Sequence, residues 1–272
     1  MPTFATPQPI AVRIEVGSGS IRLAASDRDD TVVDVRPHDE SRNSDVWAAE
    51  HTRVDFRDGN LVVLGAKRGF PLVRGGAIDL RIALPSHSRL HASLASADLR
   101  AEGEFADVQI ASASGDVEVD SVAGKLKVAQ ASGSFTVHAA LGGVSVATAS
   151  GDVTVGDLDG DLKLKAASGS LSVDRLRGHV NSRTASGSVN VAVAVLGGVS
   201  ARSASGEVAI GVAEGTAVRL DIVSGSGVVT NELQPSDGPE HGDETFVLNV
   251  RTGSGEVNIH RANPAHETAG AT

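Results

Sequence analysis

The sequence predicts an all-β chain whose middle is a parallel β-solenoid (β-helix or β-roll), about 18 residues per coil, each coil made of two nine-residue strand–turn units. Three observations carry this. Ala-Ser-Gly recurs at Ala113, Ala131, Ala149, Ala167, Ala185 and Ala204, at intervals of 18 residues and finally 19. From Ser114 the chain divides into nines with Gly at the second place and apolar residues at the fourth, sixth and ninth: SGDVEVDSV, AGKLKVAQA, SGSFTVHAA, LGGVSVATA, SGDVTVGDL, DGDLKLKAA, SGSLSVDRL, RGHVNSRTA. Aromatics are scarce, with 6 Phe, 1 Trp and no Tyr, so the interior must come from Val, Leu, Ile and Ala.

The fourth and sixth residues of a nine are two apart and share one face of a strand. The fifth (Glu118, Lys127, Thr136, Ser145, Thr154, Lys163, Ser172) is polar and faces out. Ser182 is the polar exception at a sixth place. A ninth residue kept inside implies a corner, so Ala113, Ala131, Ala149, Ala167 and Ala185 are expected to stack inside, where two face-to-face sheets approach closely. Gly at the second place supplies the tight turn. The repeat turns are Ser114-Gly115, Ser132-Gly133, Ser150-Gly151, Ser168-Gly169, Ser186-Gly187 and Ser205-Gly206. One residue is inserted near Val195, and SGEVAIGVA restores the frame at Ser205. A left-handed hexapeptide helix would need aliphatics every sixth residue, and Val153, Asp159 and Lys165 fail that test. Helical 3.6-residue periodicity is absent.

Residues 1–86 read as a β-strand and hairpin cap continuous with the solenoid, with alternating runs at Ile10–Val16, Ser20–Ala24, Thr31–Val35, Val46–Phe56, Asn60–Leu64 and Ala77–Leu84. Trp47-Ala48-Ala49-Glu50 allows a short helix in the fourth run. Regular repeats fill 87–233. An acidic Pro/Gly-rich loop at 234–244 and a strand pair, Thr245–Thr252 and Glu256–His260, fill 234–262, and 263–272 reads as a flexible tail.

The net charge of −10 argues against nucleic acid and anionic membranes as general partners. With no Cys there are no disulfides and no thiolate chemistry. No signal peptide or membrane span is legible, so a soluble cytoplasmic protein is the expectation.

The repeated Ser-Gly-Asp/Ser-Val-x-Val units resemble a bacterial β-strand-repeat family provisionally described as adhesins, a domain of unknown function. So do Gly215–Asp221, Ser226–Leu233 and Val250–Arg261. Asp45–Arg53 and Leu84-Pro85 resemble the N-terminal part of its longer members, so the likeness spans roughly residues 10–262. The resemblance implies a right-handed winding of the β-solenoid and carries no catalytic residues.

Each candidate site has a plainer structural reading. Ser114, Ser132, Ser150, Ser168, Ser186, Ser205 and Ser224 form a hydroxyl ladder that suits a periodic glycan, or simply satisfies turn backbone groups. Asp98, Asp116, Asp152, Glu207 and Asp161 hold third places, but Ser134, Ser170 and Ser188 interrupt any calcium pattern. Asp157 and Asp159 have no partner for glycan cleavage. Of nine histidines (His38, His51, His87, His91, His138, His179, His241, His260, His266) only His87 and His91 are close, with no third zinc ligand. Gly17-Ser-Gly19 and Gly253-Ser-Gly255 read as turns rather than nucleophile elbows, and mixed outward residues do not suit ice. No metal or cofactor is called for. The expectation is a non-enzymatic scaffold or protein-interaction module with a protein or glycan partner; the alternative is a carbohydrate-binding or carbohydrate-active protein.

Overall fold

The computed structural model describes residues 1–66, 76–234 and 244–262. The residues form two compact units, Met1–Phe135 and Thr136–Thr272. Most of the loop at 234–244, the tail at 263–272, His241 and His266 lie outside the described residues.

The first unit contains β1 (Thr3–Ala5), β2 (Ala11–Ser26), β3 (Asp30–Pro37), α1 (Asn43–Glu50), β4 (Arg53–Arg57), β5 (Asn60–Leu64), β6 (Ile78–Pro85), β7 (Ser88–Ser114), β8 (Val117–Val122) and β9 (Leu126–Gln130). The mixed signal around Trp47 resolves as α1, followed by β4. Trp47 stacks on His51 at 4.4 Å. β2 pairs in parallel with β7, Ala11 opposite Arg89 through Ala24 opposite Glu102. Its other side takes β5 and β6. β3 and β4 add antiparallel to β6 and β5, where α1 also packs.

The second unit contains β10 (Phe135–Ala140), β11 (Val144–Ser150), β12 (Val153–Ser168), β13 (Leu171–Ser186), β14 (Val189–Ser205), β15 (Val208–Val212), β16 (Thr216–Ser226), β17 (Val229–Asn231), β18 (Glu244–Ser254) and β19 (Val257–Arg261). The 18-residue unit is one rung. Val153 lies opposite Leu171, Leu162 opposite Val180, and Ser168 opposite Ser186. The inserted residue is a bulge at Val195, since Leu176 pairs with Ala194 and Arg177 with Leu196. The buried Thr216 hydroxyl donates to the Val195 carbonyl at 2.8 Å.

The expected right-handed parallel β-solenoid, two facing sheets wound as successive helical coils, is corrected on two counts. First, β12, β13 and β14 run unbroken through Gly160, Gly178 and Gly197, which stay paired with one another. The two nines of these rungs therefore belong to one strand and one hydrogen-bonded sheet. Second, space does not follow chain order. β18 lies between β14 and β16, and β19 between β15 and β17. In the first unit β2 lies between β7 and the β5–β6 rung. The physical reason is that every rung presents the same inward pattern and the same backbone ladder. Periodicity fixes the rung length but leaves any rung able to pair with any other.

The inward column also differs from expectation. Val153, Val155, Leu158, Leu162 and Leu164 are buried, and so are Val122, Ala140 and Leu176 at ninth places of the first halves. Ala113, Ala131, Ala149, Ala167 and Ala185 are exposed. In those second halves the strand keeps its strict alternation, so the ninth residue follows an inward eighth and points out. Most of the eighth residues, Ala166 excepted, close the core with polar groups. Ser112, Thr148, Ser203 and Thr252 donate to the carbonyl of the Ser two residues on.

Candidate functional site

The Ser-Gly corners stack rung on rung. Gly169 has φ +127°, and a Cβ there would run into the Gly151 carbonyl oxygen, so both backbone angle and close approach require glycine. The Ser114 hydroxyl lies 3.1 Å from that of Ser96, and the Ser205 hydroxyl 3.3 Å from that of Ser186. Ser132 donates to the Ala113 carbonyl at 3.4 Å. Ser168 pairs with Ser150 and Ser186 in register. Ser224 is not in this column. It lies opposite Thr252, while the column continues from Ser205 through Ser254 to Ser226. The non-sequential rung order moved the register by two residues, which the 19-residue spacing alone concealed. Gly253-Ser-Gly255 is therefore a corner of the same stack, and Gly17-Ser-Gly19 places Ser18 opposite Ser96.

The third-place carboxylates accept from the next rung's backbone. Asp98 takes the amide of Asp116 at 2.9 Å, Asp152 that of Ser170 at 2.8 Å, and Asp107 that of Lys125 at 2.8 Å. Asp116 accepts from both the amide (2.8 Å) and the hydroxyl (2.7 Å) of Ser134. These bonds, the amide first, hold its carboxyl below the usual carboxylate range. At the corresponding corner the Ser188 hydroxyl accepts the Glu207 amide at 3.3 Å. At these corners the third-place Asp, and Ser188 in its turn, supply the acceptor for a corner amide of the next rung.

His38 bonds Asp79 at 2.8 Å, and that hydrogen bond, then the Asp79 charge, raises its pKa. His87 faces Glu104 at 3.5 Å and His179 faces Asp161 at 3.4 Å. No cluster of three or more His, Cys, Asp or Glu fit to hold a metal ion occurs among the described residues.

Two surface features of the opposite charge were not anticipated. A groove of about 360 Å³ on the first unit is lined by Arg89, His91, Lys125 and Lys127, with Asp107 and Gln109 between them. On the second unit a single outward column is uniformly cationic. Lys165 lies opposite Arg183, Arg183 opposite Arg202, and Arg202 opposite Arg251. All four are exposed. The column beside it is Lys163, Asn181, Ser200 and Asn249. None of the four forms an ion pair with a described residue. Rungs are about 4.8 Å apart, so the charges span roughly 14 Å. Like charges directly opposite each other on neighbouring strands are destabilising. The seventh place of the nine holds Lys165 and Arg183, which the repeat frame could have revealed; Arg251 is out of sequence because β18 is inserted.

A second, larger groove of about 510 Å³ on the first unit is lined by small residues, Ala95, Ala111, Ala113 and Ala129 among them, and carries one carboxylate, Glu15. No helix among the described residues is long and apolar enough to cross a membrane.

The model of the Toastrack DUF4097 family matches residues 11–159 and again 155–270. No curated protein matches the chain in sequence. Among solved structures, the chain is similar to a provisionally named cell adhesion protein of Clostridium sporogenes at 12% identity, covering 96% of this chain and 98% of that one, with a TM-score of 0.22. A provisionally named adhesin of Parabacteroides merdae follows at 11% identity, 96% and 95% coverage and a TM-score of 0.40. A provisionally named lipid-binding protein of Parabacteroides distasonis shares 10% identity, with 96% coverage of each chain and a TM-score of 0.36.

Proposed function

The chain belongs to the Toastrack DUF4097 family, and from that premise we propose that it is a non-enzymatic binding protein of adhesin-like character whose ligand is an acidic polysaccharide. The observation that carries this is the cationic column Lys165–Arg183–Arg202–Arg251 on a chain of net charge −10. Keeping like charges in register costs stability, up to about 1 kcal/mol per neighbouring pair before salt screening. A bound polyanion would offset that cost. The neighbouring Asn181, Ser200 and Asn249 supply amide and hydroxyl partners for sugar hydroxyls. A nucleic acid fits less well, because sequence-tolerant single-strand binding wants exposed aromatics for stacking. In this unit Phe246 is buried. A non-enzymatic reading is supported by the corner carboxylates, which accept backbone hydrogen bonds rather than face one another across a groove.

The test uses the full chain and polygalacturonate, its fully methyl-esterified form and a single-stranded oligonucleotide. Saturable binding to the free acid is expected, weakening as salt rises. The variant R183S/R202S/R251S should bind at least about tenfold more weakly, which corresponds to a loss of about 1.4 kcal/mol. Equal binding by the variant, equal binding of the ester, or tighter binding of the oligonucleotide would overturn the ligand class. Release of shortened sugar products would overturn the non-enzymatic reading.

A further inference from the structure

The last rung of the second unit, β16 and β17, is bonded on one side only. β16 pairs with β18 and β17 with β19, and no strand among the described residues pairs with their other side. Among the described residues the core ends there without a lid of apolar side chains. Val218, Leu220 and Ile222 are inward by register, opposite the buried Phe246, Leu248 and Val250, yet each stays partly exposed. Four of the six exposed large apolar side chains among the described residues, Val223, Val228, Val229 and Val247, belong to this rung and its neighbour. In the first unit, by contrast, β3, β4 and α1 cover the β5–β6 rung. An open, apolar strand edge is a template for a further strand.

The edge sequence names the strand it fits. Residues 217–223 read Ala-Val-Arg-Leu-Asp-Ile-Val. Pairing this segment antiparallel with itself, centred on Leu220, sets Arg219 opposite Asp221 twice, Val218 opposite Ile222, and Ala217 opposite Val223. The charges fall on the outward face, with Ala217 and Val223 beside them, and Val218, Leu220 and Ile222 fall on the inward face, as their register here requires. Arg219 and Asp221 are exposed and form no ion pair with a described residue. Parallel addition of another strand would not give this reciprocity.

We propose that a second copy of this chain pairs with this edge, β16 against β16 across a two-fold axis, so that the sheet and its core continue from one protomer into the other. The interface is isologous, with the same patch on both protomers. Two reciprocal Arg219–Asp221 pairs set its register, and closure of the apolar edge drives association.

The experiment is a charge swap read by light scattering after size exclusion, with the full chain at tens of micromolar. The native chain is expected at twice its 27.6 kDa mass. Arg219→Asp places Asp against Asp and should leave a monomer, and Asp221→Arg places Arg against Arg with the same result. An equimolar mixture of the two single variants restores both pairs and should run as a heterodimer; the double variant R219D/D221R should again form a homodimer. A native monomer, a single variant that still dimerises, or a mixture that stays monomeric would each overturn the proposal. Recovery on mixing also shows that the single variants are folded. The cationic column is untouched, so glycan binding and dimerisation can fail separately.

Discussion

Substituting Gly178 by alanine tests the corner geometry at a position where two physical requirements coincide. Gly178 has φ +140°, a region that L residues rarely adopt, and a Cβ would meet the Gly160 carbonyl oxygen. Holding a non-glycine residue there costs about 1–3 kcal/mol in backbone strain. The clash comes in addition, because the obstacle is backbone of the adjoining rung and cannot swing aside. A total near 3 kcal/mol or more is therefore expected. Gly143 is the matched control in the same unit: it has no heavy atom within 4 Å of a built Cβ and no positive φ. Gly143→Ala should be neutral or stabilise by about 0.4–1 kcal/mol through the unfolded chain. With urea slopes of about 1–3 kcal/mol/M, the Gly178 variant should unfold about 1–3 M earlier. The sole tryptophan, Trp47, lies in the other unit, so far-UV circular dichroism and amide exchange over Leu171–Ser186 are the appropriate readouts. Equal midpoints for the two variants would refute the argument that stacked corners, rather than composition, require glycine.

Deleting Ser150–Ala167, one full rung by register, should leave a folded, shorter chain, whereas deleting Asp159–Ala167 alone should abolish cooperative melting. Similar melting of both deletions would contradict the 18-residue rung. Val153→Asp buries a charge at a site 2% exposed and should cost several kcal/mol, read as a fall in melting midpoint. Ser182→Ala removes a buried hydroxyl that has no hydrogen-bond partner and should stabilise by about 1 kcal/mol; a lower urea midpoint would show that the hydroxyl is satisfied. Asp116 has a folded pKa below its unfolded value, so its contribution is present above about pH 4 and fades as pH falls through the folded pKa. Asp116→Ala should thus be less stable than the native chain at neutral pH, with the gap closing in acid; a gap constant with pH would show that the Ser134 bonds contribute nothing.

Much of this fold was legible because Gly, Val and Leu recur under tight local constraint. The rung length, the Val195 bulge and the inward fourth and sixth places follow from which residues tolerate a corner or a core. The failure at Ser224 has a topological cause. The sequence suggested that Ser224 continues the Ser ladder, but Ser254 and Ser226 do, because β18 threads between β14 and β16. Rungs with identical inward patterns are interchangeable partners, so their spatial order is set by connections and not by the repeat. The exposed Ala149 and Ala167 misled differently. A small residue at a constant place suits close packing inside and an unobstructed outer corner equally well, and only the unbroken strand alternation decides.

That interchangeability also explains where binding specificity can reside. Inward places are held largely to aliphatic residues by burial, corners to Gly and Ser by geometry, and several third places to Asp by the amide they accept. Only the outward strand places remain free. Where nothing constrains them they vary, as Arg13 opposite His91 and Ser145 opposite Lys163 illustrate. The seventh-place column of the second unit begins freely at Ala147 and then holds one sign for four rungs before ending at Val223. Two of those rungs, β14 and β18, are neighbours in space but not in sequence, so repetition of one ancestral unit cannot by itself align Arg202 with Arg251. A uniform charge that survives a change in chain order, against mutual repulsion, points to a property of the assembled surface.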